Sequence, residues 1–127
     1  MHALVLLVFL FSCTTKEKFE EIDVTTAQQL LSEDENTLVL DVRTPAEYAE
    51  GHIEGAINID ISDDSFSDKV AELEKDKTYI VHCAANVENG RSAKSLKIMS
   101  DLGFEHLISM EGGFTAWQQE GQSSVRE

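Results

Sequence analysis

The sequence predicts an α/β domain built on a parallel sheet. Three observations carry that reading. Short apolar runs alternate with stretches of helical periodicity, the pattern of βαβ units. The run Thr37 to Val42 (TLVLDV) is continuously apolar and β-rich rather than alternating, as befits a strand covered on both faces. The chain has 127 residues, enough for one domain with a single core, and it shows neither an internal repeat nor a composition shift that would mark a boundary.

The elements follow in order. Phe19 to Val24 reads as a first short strand, with Thr25 or Thr26 as N-cap of a helix running to Leu31. Thr37 to Val42 is the second strand. Thr44-Pro45-Ala46-Glu47 opens a short helix: Thr44 caps, Pro45 suits the first turn, and Glu47 completes a capping box. Ala56 to Ile61 is a third strand. Ser65 to Lys75 is helical, with Phe66, Val70 and Leu73 on one side. Thr78 to His82 (TYIVH) is a central strand ending at Cys83. Ser92 to Leu102 is a helix with Leu96, Met99 and Leu102 on one face, stopped by Gly103. His106 to Met110 is the last strand, and Gly112 to Gln119 a last short helix closed near Gly121.

Ahead of these elements, Ala3 to Ser12 (ALVLLVFLFS) is an apolar run preceded only by Met1-His2. It is too short to span a bilayer, which takes about 20 residues, and has the form of a secretory h-region. Leu10-Phe11-Ser12-Cys13 resembles the bacterial lipobox, whose cysteine is acylated after cleavage just before it. That resemblance implies a signal peptide over 1–12, lipidation of Cys13, a tether over 13–18, and anchoring in the cell envelope on the periplasmic side of a bacterial membrane. The domain then runs over 19–121, with a C-terminal tail at 122–127.

The charge is −14, from 10 basic and 24 acidic residues. Nucleic-acid binders need a basic footprint to displace phosphate counterions, so nucleic acid is excluded as a partner. Polybasic attraction to anionic lipid is excluded on the same ground. The two cysteines, Cys13 and Cys83, are too few for a disulfide scaffold. They pair with each other, lie idle, or serve separate purposes, and the lipobox favours the last.

Cys83 stands at the end of a strand, followed by a loop (Ala84, Ala85, Asn86, Val87, Glu88, Asn89, Gly90) and by Arg91 and Ser92 opening a helix. In open α/β sheets ligands gather beyond the carboxyl ends of strands. A loop entering a helix N-terminus aims N–H groups and partial positive charge at that place. A thiol there ionises more easily and becomes a nucleophile, and Arg91 can fork two donors onto an anion. His52 and His82 show no ligand spacing with Cys83 that would make a metal site, and no cofactor is expected.

The segment DVRTPAEYAEGHIEGAINI (41–59) closely resembles the N-terminal signature of rhodanese-like domains, and EGGFTAW (111–117) resembles their C-terminal signature. Cys83 and Gly90-Arg91-Ser92 fall where that family has its active-site cysteine and the end of its active-site loop. The resemblance covers about residues 19 to 121. It implies a five-stranded parallel sheet flanked by helices on both faces. It also implies a sulfurtransferase in which Cys83 takes a sulfane sulfur from a small anionic donor such as thiosulfate, or from a persulfide. Cys83 would then pass the sulfur to cyanide or a thiol. Arg91 would hold the donor, the amides of residues 84–90 and Ser92 would stabilise the persulfide, and Asp41, Arg43 and Glu47 would form a supporting polar network. Trp117 is expected in the core.

The sequence departs from the family in its loop. Seven residues separate Cys83 from Arg91, more than in the family's sulfurtransferases or its phosphatase branch. None of the seven is basic, and Glu88 is acidic. If Glu88 faces inward it disfavours a thiolate. The departure leaves two alternatives: a non-catalytic or redox-sensing module, and phosphatase or arsenate chemistry.

Overall fold

A computed structural model describes residues 18–127. The apolar run 1–12, Cys13 and most of the tether lie outside the described residues. The chain folds as β1 (Glu20–Ile22), α1 (Val24–Glu33), β2 (Thr37–Asp41), α2 (Pro45–Glu50), β3 (Ile57–Asn58), α3 (Phe66–Ala71), β4 (Thr78–His82), α4 (Arg91–Asp101), β5 (Leu107–Met110) and α5 (Gly113–Gln119). The five strands pair in the order β1-β5-β4-β2-β3, and every pairing is parallel.

Strand alternation divides the core in two. Leu40, Tyr79 and Val81 face α3 and α4, packing with Phe66, Val70, Leu96, Met99 and Phe104. Val39, Ile80 and Ile108 face the other way, toward Ala27, Phe114 and Trp117 of α1 and α5 and the half-buried Tyr48 of α2. Helices therefore cover both faces. β2 and β4 are buried almost throughout, which is why their sequences read as continuous apolar runs.

Several local expectations shift. Helix α1 begins one residue before Thr25, so its cap is Asp23, whose carboxylate accepts from Thr26 N at 2.8 Å. Strand β3 is two residues long, and backbone bonds to the end of β2 continue past it, from Ile59 N to Asp41 O (3.1 Å) and Ile61 N to Val42 O (3.2 Å). The Asn58 side chain adds to them, its Nδ2 donating to the carbonyls of Asp41 (3.0 Å) and Arg43 (2.9 Å). Helix α3 stops at Ala71, with Leu73 in the turn beyond. Ser65 precedes α3 without capping it, since its amide and hydroxyl both donate to Asp63. Helix α2 has the expected capping box in full.

The segment 122–127, expected as a tail, is tied back onto the domain. Val125 and His52 exchange two backbone hydrogen bonds of 2.9 Å each. Trp117, buried as expected, donates its indole N–H to Ser123 O at 3.0 Å.

Candidate active site

The carboxyl ends of β2, β4 and β5 meet at one edge of the sheet, and the register sets Asp41 beside His82. Asp41 is fully buried, and its carboxylate accepts from Arg43 Nε (2.9 Å), Nη2 (2.7 Å) and backbone N (3.1 Å). Arg43 Nη2 also donates to Gly51 O at 2.8 Å, and its guanidinium lies 4.1 Å from the Phe114 ring centroid. A buried ion pair is tolerable only when its hydrogen-bonding capacity is used, and here it is. His82 is fully buried; Nδ1 lies 3.0 Å from Cys83 O and Nε2 3.7 Å from Asp41. Burial pushes its pKa below the usual imidazole range, against the opposing pull of Asp41. The neutral ring donates from Nδ1 to the Cys83 carbonyl.

Cys83 Sγ is nearly enclosed, the residue being 4% exposed. Asn86 N lies 3.4 Å from the sulfur and Ser92 Oγ 3.6 Å. Burial pushes the thiol pKa up, but the Ser92 hydroxyl and the N–H groups of Ser92, Asn86 and Ala85 outweigh it, and the net shift is downward. Ser92 sits in the first turn of α4, so the helix dipole adds to these donors. Of the amides expected around the sulfur, those of Ala85, Asn86 and Ser92 reach it, whereas Gly90 N bonds to Val87 O instead.

Asn86 is the pin of that arrangement. Its Oδ1 accepts from Cys83 N at 2.8 Å, and its Nδ2 donates to Val81 O (3.3 Å) and Ser109 Oγ (3.2 Å). Its backbone is left-handed, φ 50°, a conformation asparagine tolerates better than other side-chain-bearing residues. Sequence reasoning placed Asn86 among the loop amides and missed its side chain; an asparagine three residues past a strand-end cysteine was the available signal. It also missed the role of α5. Phe114 N donates to Cys83 O (3.0 Å) and Thr115 N to Ala84 O (2.9 Å). This approach requires Gly113, where a Cβ would stand 2.7 Å from Cys83 O.

The rest of the loop turns away. Val87 is 61% exposed, and Glu88 and Asn89 are exposed as well. Glu88 lines a surface cleft, so an enclosed carboxylate against the thiolate does not arise. Asn89 has φ 57°, and Gly90 N closes a turn onto Val87 O at 3.0 Å.

Arg91 opens α4 as expected, near enough to Cys83 for their charges to interact, and it is paired with Glu47. Both guanidinium arms are taken by Glu47, Nη1 to Oε1 at 2.6 Å and Nη2 to Oε2 at 3.0 Å. The Arg91 hydrogen bonds hold the Glu47 carboxyl down at about 2. The expected trio of Asp41, Arg43 and Glu47 is therefore two separate ion pairs, one buried and one at the mouth of the site.

Comparison with known proteins places this architecture. The chain is 34% identical over 117 residues to the mitochondrial protein HIGH ARSENIC CONTENT 1 of Arabidopsis thaliana, covering 84% of this chain and 66% of that one. It thus spans just under two thirds of the plant protein's length. It is 29% identical over 101 residues to a sulfurtransferase of Allochromatium vinosum, covering 80% of this chain and 90% of that protein. The crystal structure of a rhodanese-related protein from Thermoplasma volcanium superposes with a TM-score of 0.74 at 35% identity, over 86% of this chain and all of that one. The family model for the Rhodanese-like domain matches residues 23–120. A match of that extent, over a parallel five-stranded sheet with a cysteine cradle at its carboxyl edge, makes this chain a member of the rhodanese-like domain family.

Proposed function

We propose that the chain is a sulfurtransferase that carries a sulfane sulfur as a persulfide on Cys83 and delivers it to a thiol or cyanide. The observation that carries the reading is the set of donors around the sulfur: three backbone N–H groups and the Ser92 hydroxyl, at the junction of β4 and α4. Such a ring stabilises negative charge on the Cys83 thiolate. It suits equally the anionic terminal sulfur of a persulfide, the covalent intermediate of a two-step transfer. The Allochromatium relative, named a sulfurtransferase, supports the same reading.

Treatment with inorganic polysulfide or an organic persulfide is expected to add about 32 Da, one sulfur, to the intact protein, and Cys83→Ser to abolish the gain. Absence of any such adduct with every sulfane donor would sink the proposal. The redox-sensing alternative draws on the same lowered thiol; catalytic thiocyanate production from cyanide, lost in Cys83→Ser, would rule it out.

The lipobox-like Leu10 to Cys13 supports anchoring at the cell envelope through Cys13. Two acyl chains suffice for a stable anchor. Labelled fatty acid is expected to enter the full-length protein expressed in bacteria and to be lost in Cys13→Ser; unlabelled wild-type protein would refute the anchor.

A further inference from the structure

The sulfur site is bordered by two clefts of opposite character. On the α2 and α5 side, a cleft of about 560 Å³ is lined by Arg43, Glu47, Glu50 and Arg126, along with Ala84 and Thr115. Its charges cancel: Arg43 is bound to buried Asp41, Glu47 is bound by both arms of Arg91, and Arg126 is matched by Glu50 in number. On the β1 and α4 side, a cleft of about 610 Å³ has Phe19, Val87, Ala93 and Leu96 as its apolar lining, with Asn86 and Ser92 joining it to the sulfur. Its charged rim is Glu21, Glu88 and Lys97, and Lys97 reaches Asp101 at 3.3 Å. Val87 presents its side chain at the mouth of this cleft while 61% exposed.

A doubly charged donor such as thiosulfate is held most strongly by cationic donors matched to its oxygens. The loop from Ala84 to Gly90 contributes none, and the arginine that opens α4, though its charge reaches Cys83, is neutralised by a two-bond pairing with Glu47. Resting on the persulfide-carrier reading, we infer that the donor is an organic persulfide whose neutral, apolar substituent lies in the cleft of Phe19, Val87, Ala93 and Leu96, in preference to thiosulfate. The Cys83 thiolate attacks the terminal sulfur of R–S–S–H. The new bond is Cys83 S–S, the donor's S–S bond breaks, and its electron pair leaves on R–S⁻. The proton stays on the transferred sulfur, so charge and electrons balance without an oxidant or reductant. The cleft has the size of a small-ligand site, and its apolar floor favours an alkyl substituent over the sulfonate end of thiosulfate.

Three donors separate the possibilities when Cys83 loading is followed by intact mass: n-butyl persulfide generated in situ, thiosulfate, and inorganic polysulfide. Wild-type protein is expected to load from n-butyl persulfide about tenfold or more faster than from thiosulfate. Glu47→Gln keeps an oxygen for the Thr44 cap but removes the charge that occupies Arg91, and is expected to raise thiosulfate loading about tenfold. Val87→Asp, at an exposed loop position, is expected to lower the ratio of n-butyl persulfide to polysulfide loading by about tenfold. Thiosulfate loading as fast as n-butyl persulfide, or an unchanged ratio in Val87→Asp, overturns the inference while leaving Cys83 as a persulfide carrier. Failure of all three donors to load Cys83 takes down the carrier reading and the inference with it.

Discussion

Ser92 supplies two donors to the Cys83 sulfur, its hydroxyl and its backbone N–H, and only the first can be removed by mutation. Ser92→Ala is therefore expected to move the pH profile of Cys83 alkylation to higher pH and to slow the reaction at pH 7 by roughly threefold or more. The remaining amides keep the thiol below an ordinary one. The sign carries over to stability. The folded pKa lies below the unfolded one, so ionised Cys83 stabilises the fold above the unfolded value, and this contribution is lost as pH falls through the folded value. A profile unmoved by Ser92→Ala would show that the amides alone hold the thiolate. Glu47 behaves similarly at lower pH. With its carboxyl held at about 2, its pairing with Arg91 survives throughout the range in which Cys83 titrates. The pH profile of the thiol is then free of any contribution from that pair opening.

Helix α5 does its work through its first turn. Its N–H groups grip Cys83 O and Ala84 O, and Gly113, at φ 59°, lets it come that close. Gly113→Ala forces the helix and the Cys83 carbonyl apart. It is expected to cost about 2 kcal/mol of stability and to slow Cys83 loading even at temperatures where the protein stays folded. Denaturant unfolding and intact-mass kinetics on the same variant check both parts. The elements differ in how legible they were. Strands β2 and β4 and the capping box of α2 are written locally, in runs and spacings a few residues long, and could be read directly. The cap of α1 and the start of α3 depend on which of several nearby polar side chains reaches a backbone group first. Asp23 and Asp63 won those competitions. At the site, the cysteine, the loop and the opening of α4 were legible from order alone. The capture of Arg91 by Glu47, 44 positions earlier in the chain, was not. Spacing shows that an arginine opens a helix; it does not show which distant carboxylate the fold brings to it.

At the scale of the whole molecule, a net charge of −14 surrounds a site that we propose holds sulfur anions. The two ion pairs at the sheet edge are neutral overall, so positive potential at the sulfur comes from short-range amide dipoles and the nearby Arg91 charge rather than from a basic surface. The long-range field repels an anionic donor while the cradle attracts it over a few ångströms. Raising ionic strength shortens the reach of the repulsion to about 3 Å at 1 M salt and leaves the enclosed amides unaffected. Polysulfide loading is accordingly expected to speed up by roughly two- to fivefold between low and high salt. Stopped-flow loading across a salt series measures it, and a rate that falls with salt would mean that a local cation dominates approach.

The side chain of Asn86 has a consequence for how such a loop can change. By bonding to Cys83 N, Val81 O and Ser109 Oγ, it finishes the nucleophile's half of the loop before Val87 begins. At the far side, Gly90 folds back on Val87 and hands the chain to α4. The stretch between is thus a closed excursion whose ends meet whatever its contents. Its exposed residues, Val87 to Asn89, stand outside the ring around the sulfur. The loop behaves as a socket: the donors to the sulfur are fixed at its base, and the exposed stretch, which we propose meets the donor, is built apart from them.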